Sequence, residues 1–124
     1  MNLQERKEIL VRLGNYLLSA EEDLQDTMRR AASENAWFTP EFITLSLTNI
    51  AKQYLSEESL QALIQTYKVP DDNTAPKKLG LVMAGNIPAV GFHDLLCTFL
   101  AGHYAYIKLS SKDTVLIKFF VKKM

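Results

Sequence analysis

The sequence of 124 residues has only one cysteine, no excess of either charge and no long run of apolar residues. Because Cys97 has no second cysteine to pair with, an internal disulfide is excluded and a reducing compartment is favoured. Fourteen basic residues balance fourteen acidic ones, so the composition gives no reason to expect a nucleic-acid partner. No segment approaches the roughly 18 apolar residues of a membrane span, and the start of the chain lacks the apolar core of a signal peptide. These absences predict a cytoplasmic protein with no membrane span and no nucleic-acid partner.

The chain does have a hydrophobic content of 48%, which is enough for one modest domain with a core. Its first half contains four stretches in which apolar residues recur at helical spacing, each with a recognisable start signal. The predicted helices cover residues 3–18, follow the capping-box pattern of residues 19–22, follow Thr39-Pro40, and follow Ser56. We therefore expect a helical N-terminal section over residues 1–68.

The composition changes at residues 69–78, where prolines, aspartates and an asparagine without periodicity indicate a linker. A short apolar run at residues 79–83 then predicts a strand, and its continuous apolar character is typical of a strand covered on both faces. Pro88 stands where a helix over residues 89–101 would begin, and residues 104–108 predict a second strand. Strand, helix and strand in about thirty residues match one parallel βαβ unit.

After the second strand, apolar residues at helical spacing predict a last helix that starts near Asp113. Two parallel strands and one crossover helix do not normally make a stable sheet, since three or more strands are needed. We therefore expect an α/β fold in which residues 79–124 are only the start of a Rossmann-like domain, truncated at its C-terminus. The chain would then be the N-terminal part of a longer protein.

Polar residues follow both predicted strands, at the sheet edge where open α/β folds bind their ligands. Asn86 follows the first strand, and its amide could serve either as a turn-forming group or as a donor to a developing oxyanion. Lys108, Ser110 and Ser111 end the second strand and could bind a phosphate or ribose hydroxyls, although Lys108 alone would more simply be a solvated cation. The motif G-x-G-x-x-G is absent, which disfavours a standard dinucleotide phosphate loop.

The remaining reactive side chains favour structural roles. His93 and His103 lack a metal-ligand spacing, and Cys97 lies on an apolar helical face where a buried structural thiol is expected. Trp37 and Phe38 precede a helix start, which predicts a hydrophobic staple or core plug. An exposed pair could instead line an acyl site.

Two segments resemble the aldehyde dehydrogenase superfamily: V-M-A-G-N-I-P at residues 82–88 and A-G-H-Y-A-Y-I-K-L-S-S at residues 101–111. The sequence is more similar to LuxC-type acyl-CoA reductases, whose pattern is V-x-x-G-N-x-P, a helix, and then K-x-S-S-x-D. The N-x-W-F-T-P segment at residues 35–40 also resembles the helical N-terminal section of those enzymes. The resemblance covers almost the whole chain, and its specific part is residues 79–113.

The resemblance implies roles for the residues that match the family motifs. Asn86 would help to stabilise the oxyanion of a thiohemiacetal, and Lys108, helped by Ser110, would contact the adenosine ribose of a nicotinamide cofactor. Ser111 stands where many NAD-preferring members have Glu, and its neutral hydroxyl removes repulsion of a 2′-phosphate. The implied cofactor is therefore NADPH.

The same resemblance implies the reaction, which is the NADPH-dependent reduction of an acyl-CoA or acyl-protein thioester to an aldehyde. The family's nucleophilic cysteine would lie beyond residue 124, and Cys97 does not match its motif, so this segment alone would be inactive. A homo-oligomer or acyl-transfer partner proteins are the expected partners. The alternative hypothesis is a non-catalytic helical interaction module, which the four amphipathic helices of the first half favour.

Overall fold

The computed structural model describes residues 1–124 and has a mixed α/β architecture that is rich in helix. Six α-helices, one π-helical turn and two strands follow one another along the chain. Their bounds are α1 Leu3–Leu17, α2 Glu22–Glu34, α3 Pro40–Asn49, the π-helical turn Ile50–Tyr54, α4 Glu57–Tyr67, β1 Lys78–Val82, α5 Phe92–Leu100, β2 Tyr104–Lys108 and α6 Val115–Lys123. None of the helices has the length and apolar character needed to cross a membrane.

Two of the predicted helix starts are confirmed by side-chain caps. The Thr39 hydroxyl accepts a hydrogen bond from the backbone N–H of Phe42 at 3.1 Å, with Pro40 in the first turn of α3. The Ser56 hydroxyl accepts from the N–H of Ser59 at 3.1 Å and so begins α4. Each cap satisfies an N–H group that has no partner within the first turn of its helix.

The predicted capping box at the start of α2 is wrong. The helix begins at Glu22, and its N-cap residue, Glu21, makes no side-chain cap hydrogen bond. The Ser19 hydroxyl instead donates to the carbonyl of Tyr16 at 2.6 Å, which closes the end of α1. A short polar side chain between two helices can bond to either one, and here it bonds to the preceding helix.

The third helical stretch extends to residue 54, but its last turn is a π-helix. The N–H of Leu55 donates to the carbonyl of Ile50, five residues earlier, at 3.2 Å. Helix α1 crosses this turn closely at Gly14, where an added Cβ atom would lie only 2.7 Å from Cβ of Leu55. Gly14 therefore sets how near α1 comes to the π-helical turn.

Helix α5 begins three residues later than predicted, and Pro88 is not in its first turn. Residues 87–91 form a tight turn in which Ala89 has a φ of 56° and lies in the left-handed region. The N–H of Ala89 points away from any helical partner and donates to Oδ2 of Asp113 at 2.7 Å. This long-range hydrogen bond favours the turn over an earlier helix start, and α5 begins only at Phe92.

The two strands pair in parallel, as predicted, with Lys78 opposite Tyr104 and Val82 opposite Lys108. Helix α5 contacts both strands and covers one face of the sheet. The other face is exposed, and Val82 on it is 82% exposed. The prediction that the first strand is covered on both faces is therefore wrong.

The hydrophobic core is continuous between the helical section and the βαβ unit. Helix α1 contacts α5, and α2 contacts α6. The rings of Phe92 and Phe120 meet edge to face at 5.3 Å and are both fully buried. At the periphery, Nζ of Lys123 lies 2.5 Å from Oδ2 of Asp23 and joins α6 to α2. The helices thus hold the βαβ unit in one position.

Candidate functional site

The turns that follow β1 and β2 touch each other at the carboxyl edge of the sheet. The N–H of Met83 donates to the carbonyl of Lys108 at 3.0 Å, which extends the strand pairing by one residue. Gly85 then lies directly on the second turn, where an added Cβ would be 2.4 Å from Oγ of Ser110 and 2.9 Å from Cβ of Lys112. Only a residue without a side chain permits this approach, so Gly85 brings the candidate site residues together.

Asn86 is exposed at this edge, and its carboxamide makes no hydrogen bond with the rest of the chain. Other asparagines are used by the fold: Nδ2 of Asn35 donates to the carbonyl of Lys112, and Nδ2 of Asn73 donates to that of Ala101. The side chain of Asn86 thus has donor and acceptor capacity that folding does not use.

The polar residues after β2 surround the same edge. Lys108 and Ser111 are exposed, and Ser110 is half-buried, with its hydroxyl accepting from the N–H of Lys112 at 3.2 Å. The ion pairs of the chain do not include Lys108 or Lys112. Two cationic side chains without carboxylate partners therefore belong to the segment that Gly85 contacts.

Asp113, which was not among the predicted site residues, holds the turn at Ala89 against the segment after β2. Its carboxyl group is 5% exposed and accepts the hydrogen bond from Ala89, while Oδ1 has no partner. Burial raises the pKa of Asp113, and the backbone N–H groups of Ala89 and Leu116 oppose that rise. Because the carboxyl group faces inward, this acidic residue does not place its charge among the exposed lysines.

A cavity of about 320 Å³ lies beside the turn that carries Asn86. Its walls come from the end of α3, from the π-helical turn and from the segment between residues 87 and 93, and include Gln53, Tyr54, Ile87 and His93. The rings of Tyr54 and His93 are 5.1 Å apart at its rim. A mixture of apolar and hydrogen-bonding groups of this kind is typical of a small-molecule pocket.

The remaining reactive side chains do not assemble into a catalytic or metal centre. Sγ of Cys97 lies 3.9 Å from both ring nitrogens of His93, and the pKa of the half-buried thiol is raised by burial and by the charge of Asp94. No group of three or more potential metal ligands is present. His103 lies apart, where its Nδ1 accepts from the N–H of Lys77 at 3.0 Å. The raised pKa of Cys97 keeps its side chain in the thiol form, which is less reactive than a thiolate.

The Trp37-Phe38 pair is divided between surface and core. Phe38 is buried, as predicted, and contacts the ring of Phe42 edge to face. Trp37 is 85% exposed, so the prediction of a core plug is wrong for this residue. Trp37 follows Asn35, whose Nδ2 donates to the carbonyl of Lys112 in the turn after β2.

Comparison with known proteins gave no family: no family model, no curated protein and no solved structure matches the chain. The resemblance to acyl-CoA reductases therefore rests on the sequence motifs alone and stays a prediction.

Proposed function

We propose that the chain is the N-terminal part of an NADPH-dependent reductase that converts an acyl thioester to an aldehyde. In this proposal residues 79–124 begin an aldehyde-dehydrogenase-like cofactor-binding domain, and residues 1–68 form its helical N-terminal section. The nucleophilic cysteine would belong to a part of the enzyme outside this segment. Burial raises the pKa of the Cys97 thiol, which supports leaving it out of that role.

The observation that carries the proposal is the free carboxamide of Asn86 at the carboxyl edge of a parallel strand pair. The close approach of Gly85 to Ser110 holds the two turns together without using the Asn86 side chain. Donors whose positions are set before the substrate binds stabilise a developing oxyanion most effectively, and the close approach of Gly85 fixes the backbone from which the Asn86 side chain extends. Asn86 would donate its Nδ2–H to the oxyanion that forms when a thioester carbonyl becomes tetrahedral.

The lysines and serines after β2 fit the cofactor. Lys108 and Ser110 would bind the adenosine ribose. Ser111 would leave room for a 2′-phosphate without repelling it, because its hydroxyl carries no negative charge. The inward position of Asp113 supports this, since its charge is buried rather than presented to the phosphate. NADPH would supply the hydride, and these side chains would bind and orient it.

The proposal is tested in the full-length polypeptide by following NADPH oxidation with a fatty acyl-CoA. Replacing Asn86 with Ala should lower kcat by about 10²- to 10³-fold, which is the effect of losing one oxyanion donor. The KM for NADPH should change little, because Asn86 does not contact the cofactor in this arrangement. Asn15→Ala is the matched control, since Asn15 is an exposed asparagine on α1. An unchanged kcat in Asn86→Ala would remove Asn86 from the mechanism.

The cofactor preference has its own test. Ser111→Glu should weaken NADPH binding relative to NADH by about tenfold, because the carboxylate would repel the 2′-phosphate. Ser111→Gln, which adds similar bulk without charge, should leave the ratio of the two dissociation constants nearly unchanged. If the ratio is the same in Ser111→Glu and in the wild type, the proposed contact with the 2′-phosphate is wrong.

A second candidate function is a non-catalytic interaction module, and the exposure of Trp37 favours it. Large aromatic side chains at the surface are frequent anchors of protein interfaces. This function predicts a stable complex that Trp37→Ala weakens, measured by analytical ultracentrifugation, together with no affinity for NADPH. Reductase activity of the full-length polypeptide would rule it out as the main function.

A further inference from the structure

A buried arginine without a counter-charge lies at the opposite edge of the sheet from Asn86. Arg6, on α1, is 4% exposed. Its Nε donates to the carbonyl of Leu100 at 3.0 Å and its Nη1 to that of Met1 at 2.5 Å, whereas Nη2 has no acceptor. A buried cation that meets only neutral carbonyls lowers stability relative to one that meets an anion.

The neighbouring Lys7, in contrast to Arg6, has a carboxylate partner. It is also buried, but its Nζ lies 2.5 Å from Oε1 of Glu57 and 3.0 Å from Oε1 of Gln61. The ion pairs of the chain involve Lys7, Arg29 and Lys123, so Arg6 has no carboxylate partner. Arg6 is therefore a buried cationic side chain whose charge is not compensated within the chain.

Arg6 forms part of the wall of a cavity of about 480 Å³. The other polar walls come from Asn73, His103, Tyr104 and Tyr106, and no acidic residue lines the cavity. Gly102 closes the cavity over the guanidinium group: it has a φ of 79°, and an added Cβ would lie 3.2 Å from Cζ of Arg6. The cavity thus combines an uncompensated positive charge with hydrogen-bonding side chains and no competing negative charge.

The hydrogen bonds of His103 leave one ring nitrogen free to donate. Its Nδ1 accepts from the backbone N–H of Lys77 at 3.0 Å, so Nε2 carries the proton in the neutral ring. Asn73 supports the same ring, with Nδ2 at 3.2 Å from Nδ1. His103, Tyr104 and Tyr106 therefore add neutral donors to the cation of Arg6.

We propose that this cavity binds a small oxyanion, a phosphate or a carboxylate, with Arg6 as its principal ligand. The anion supplies the acceptor that Nη2 lacks and the counter-charge that the fold does not provide, through a charge-assisted hydrogen bond. Nη2 is covered in the unbound chain, so binding includes a local side-chain movement. Met1 lines the cavity and is 71% exposed, which leaves its side chain free to move.

The proposal is tested by NMR titration of the ¹⁵N-labelled chain with inorganic phosphate and, separately, with acetate, at an ionic strength held constant with NaCl. One of the two anions should produce saturable shifts of the amides of Gly102, His103 and Tyr104, with a dissociation constant of about 1 mM or below. Tighter binding of phosphate assigns the site to phosphate groups, and tighter binding of acetate assigns it to carboxylates. Shifts that do not saturate, that NaCl reproduces, or that centre on Asn86 would overturn the proposal.

Two variants test whether Arg6 binds the anion. Arg6→Met should weaken the anion at least tenfold, because a charge-assisted hydrogen bond is lost. Arg12→Met removes an exposed arginine from the same helix and should leave the affinity unchanged. Equal affinities in the wild type and in a folded Arg6→Met variant would overturn the proposal. If Arg6→Met does not fold, the amide shifts of the wild type decide, and neither readout depends on reductase activity.

Discussion

Replacing Gly14 with Ala should destabilise the chain, although helix propensity predicts the opposite. A glycine inside a helix costs about 1 kcal/mol relative to alanine, so the isolated helix α1 would gain stability from the change. In the folded chain the new methyl group would lie 2.7 Å from Cβ and 3.2 Å from the carbonyl oxygen of Leu55. Leu55 is buried, and its N–H is bonded to Ile50, so neither atom can move aside as the end of a flexible side chain could.

Such overpacking costs about 1–3 kcal/mol, and the middle of this range, about 2 kcal/mol, exceeds the gain in propensity. We expect a net loss of about 1 kcal/mol in the free energy of unfolding, measured by urea denaturation followed by far-UV circular dichroism. Gly80→Ala is the control, because no atom lies within 4 Å of an added Cβ at that strand position. This variant should gain about 0.5 kcal/mol. A Gly14→Ala variant as stable as the wild type would refute the close packing of α1 against the π-helical turn.

The other predictions concern one cap and one buried acid. Thr39→Ala should lower the free energy of unfolding by about 1 kcal/mol, because the N–H of Phe42 loses its acceptor. Ser19→Ala should have a smaller effect, because α2 has no side-chain cap. Equal losses of unfolding free energy in the two variants would contradict the assignment of the caps. Burial raises the pKa of Asp113 in the folded chain above its value in the unfolded chain. At a pH between these two pKa values the folded state therefore binds more protons than the unfolded state. The contribution of Asp113 to stability should therefore be largest below its ordinary pKa and should fall as the pH rises above it. Asp113→Asn retains an acceptor for Ala89 and should lose this pH dependence; an identical pH profile of the unfolding free energy in variant and wild type would show that Asp113 is not responsible.

Local sequence signals predicted the features that depend on local contacts. Thr39 and Ser56 cap their helices with hydrogen bonds to N–H groups three residues away, which a sequence pattern can represent. The start of α5 was misplaced because it depends on Asp113, which is 24 residues from Ala89. No local pattern around Pro88 indicates that such a partner exists.

The candidate site was predictable to a similar extent. The strand ends place Asn86 and Lys108 at one edge by simple topology, but the contact between Gly85 and Ser110 is a tertiary feature. Arg6 was missed although a signal was present. It lies three residues after Leu3 and four before Leu10, on the apolar stripe of α1, where a charged residue requires a partner or a ligand.

The contacts that hold the two turns together also explain why the candidate site needs no ligand to form. A pair of parallel strands with one exposed face has little stability of its own. Here the pair is fixed from one face by α5 and at its carboxyl edge by two contacts, Gly85 against Ser110 and Ala89 to Asp113. Asn86 lies between these two contacts in sequence, so the position of its backbone is fixed on both sides while its side chain remains unused. The fixed backbone limits the region that the Asn86 carboxamide can reach, so oxyanion stabilisation by Asn86 would require only the side chain to adopt one rotamer, without movement of the turn.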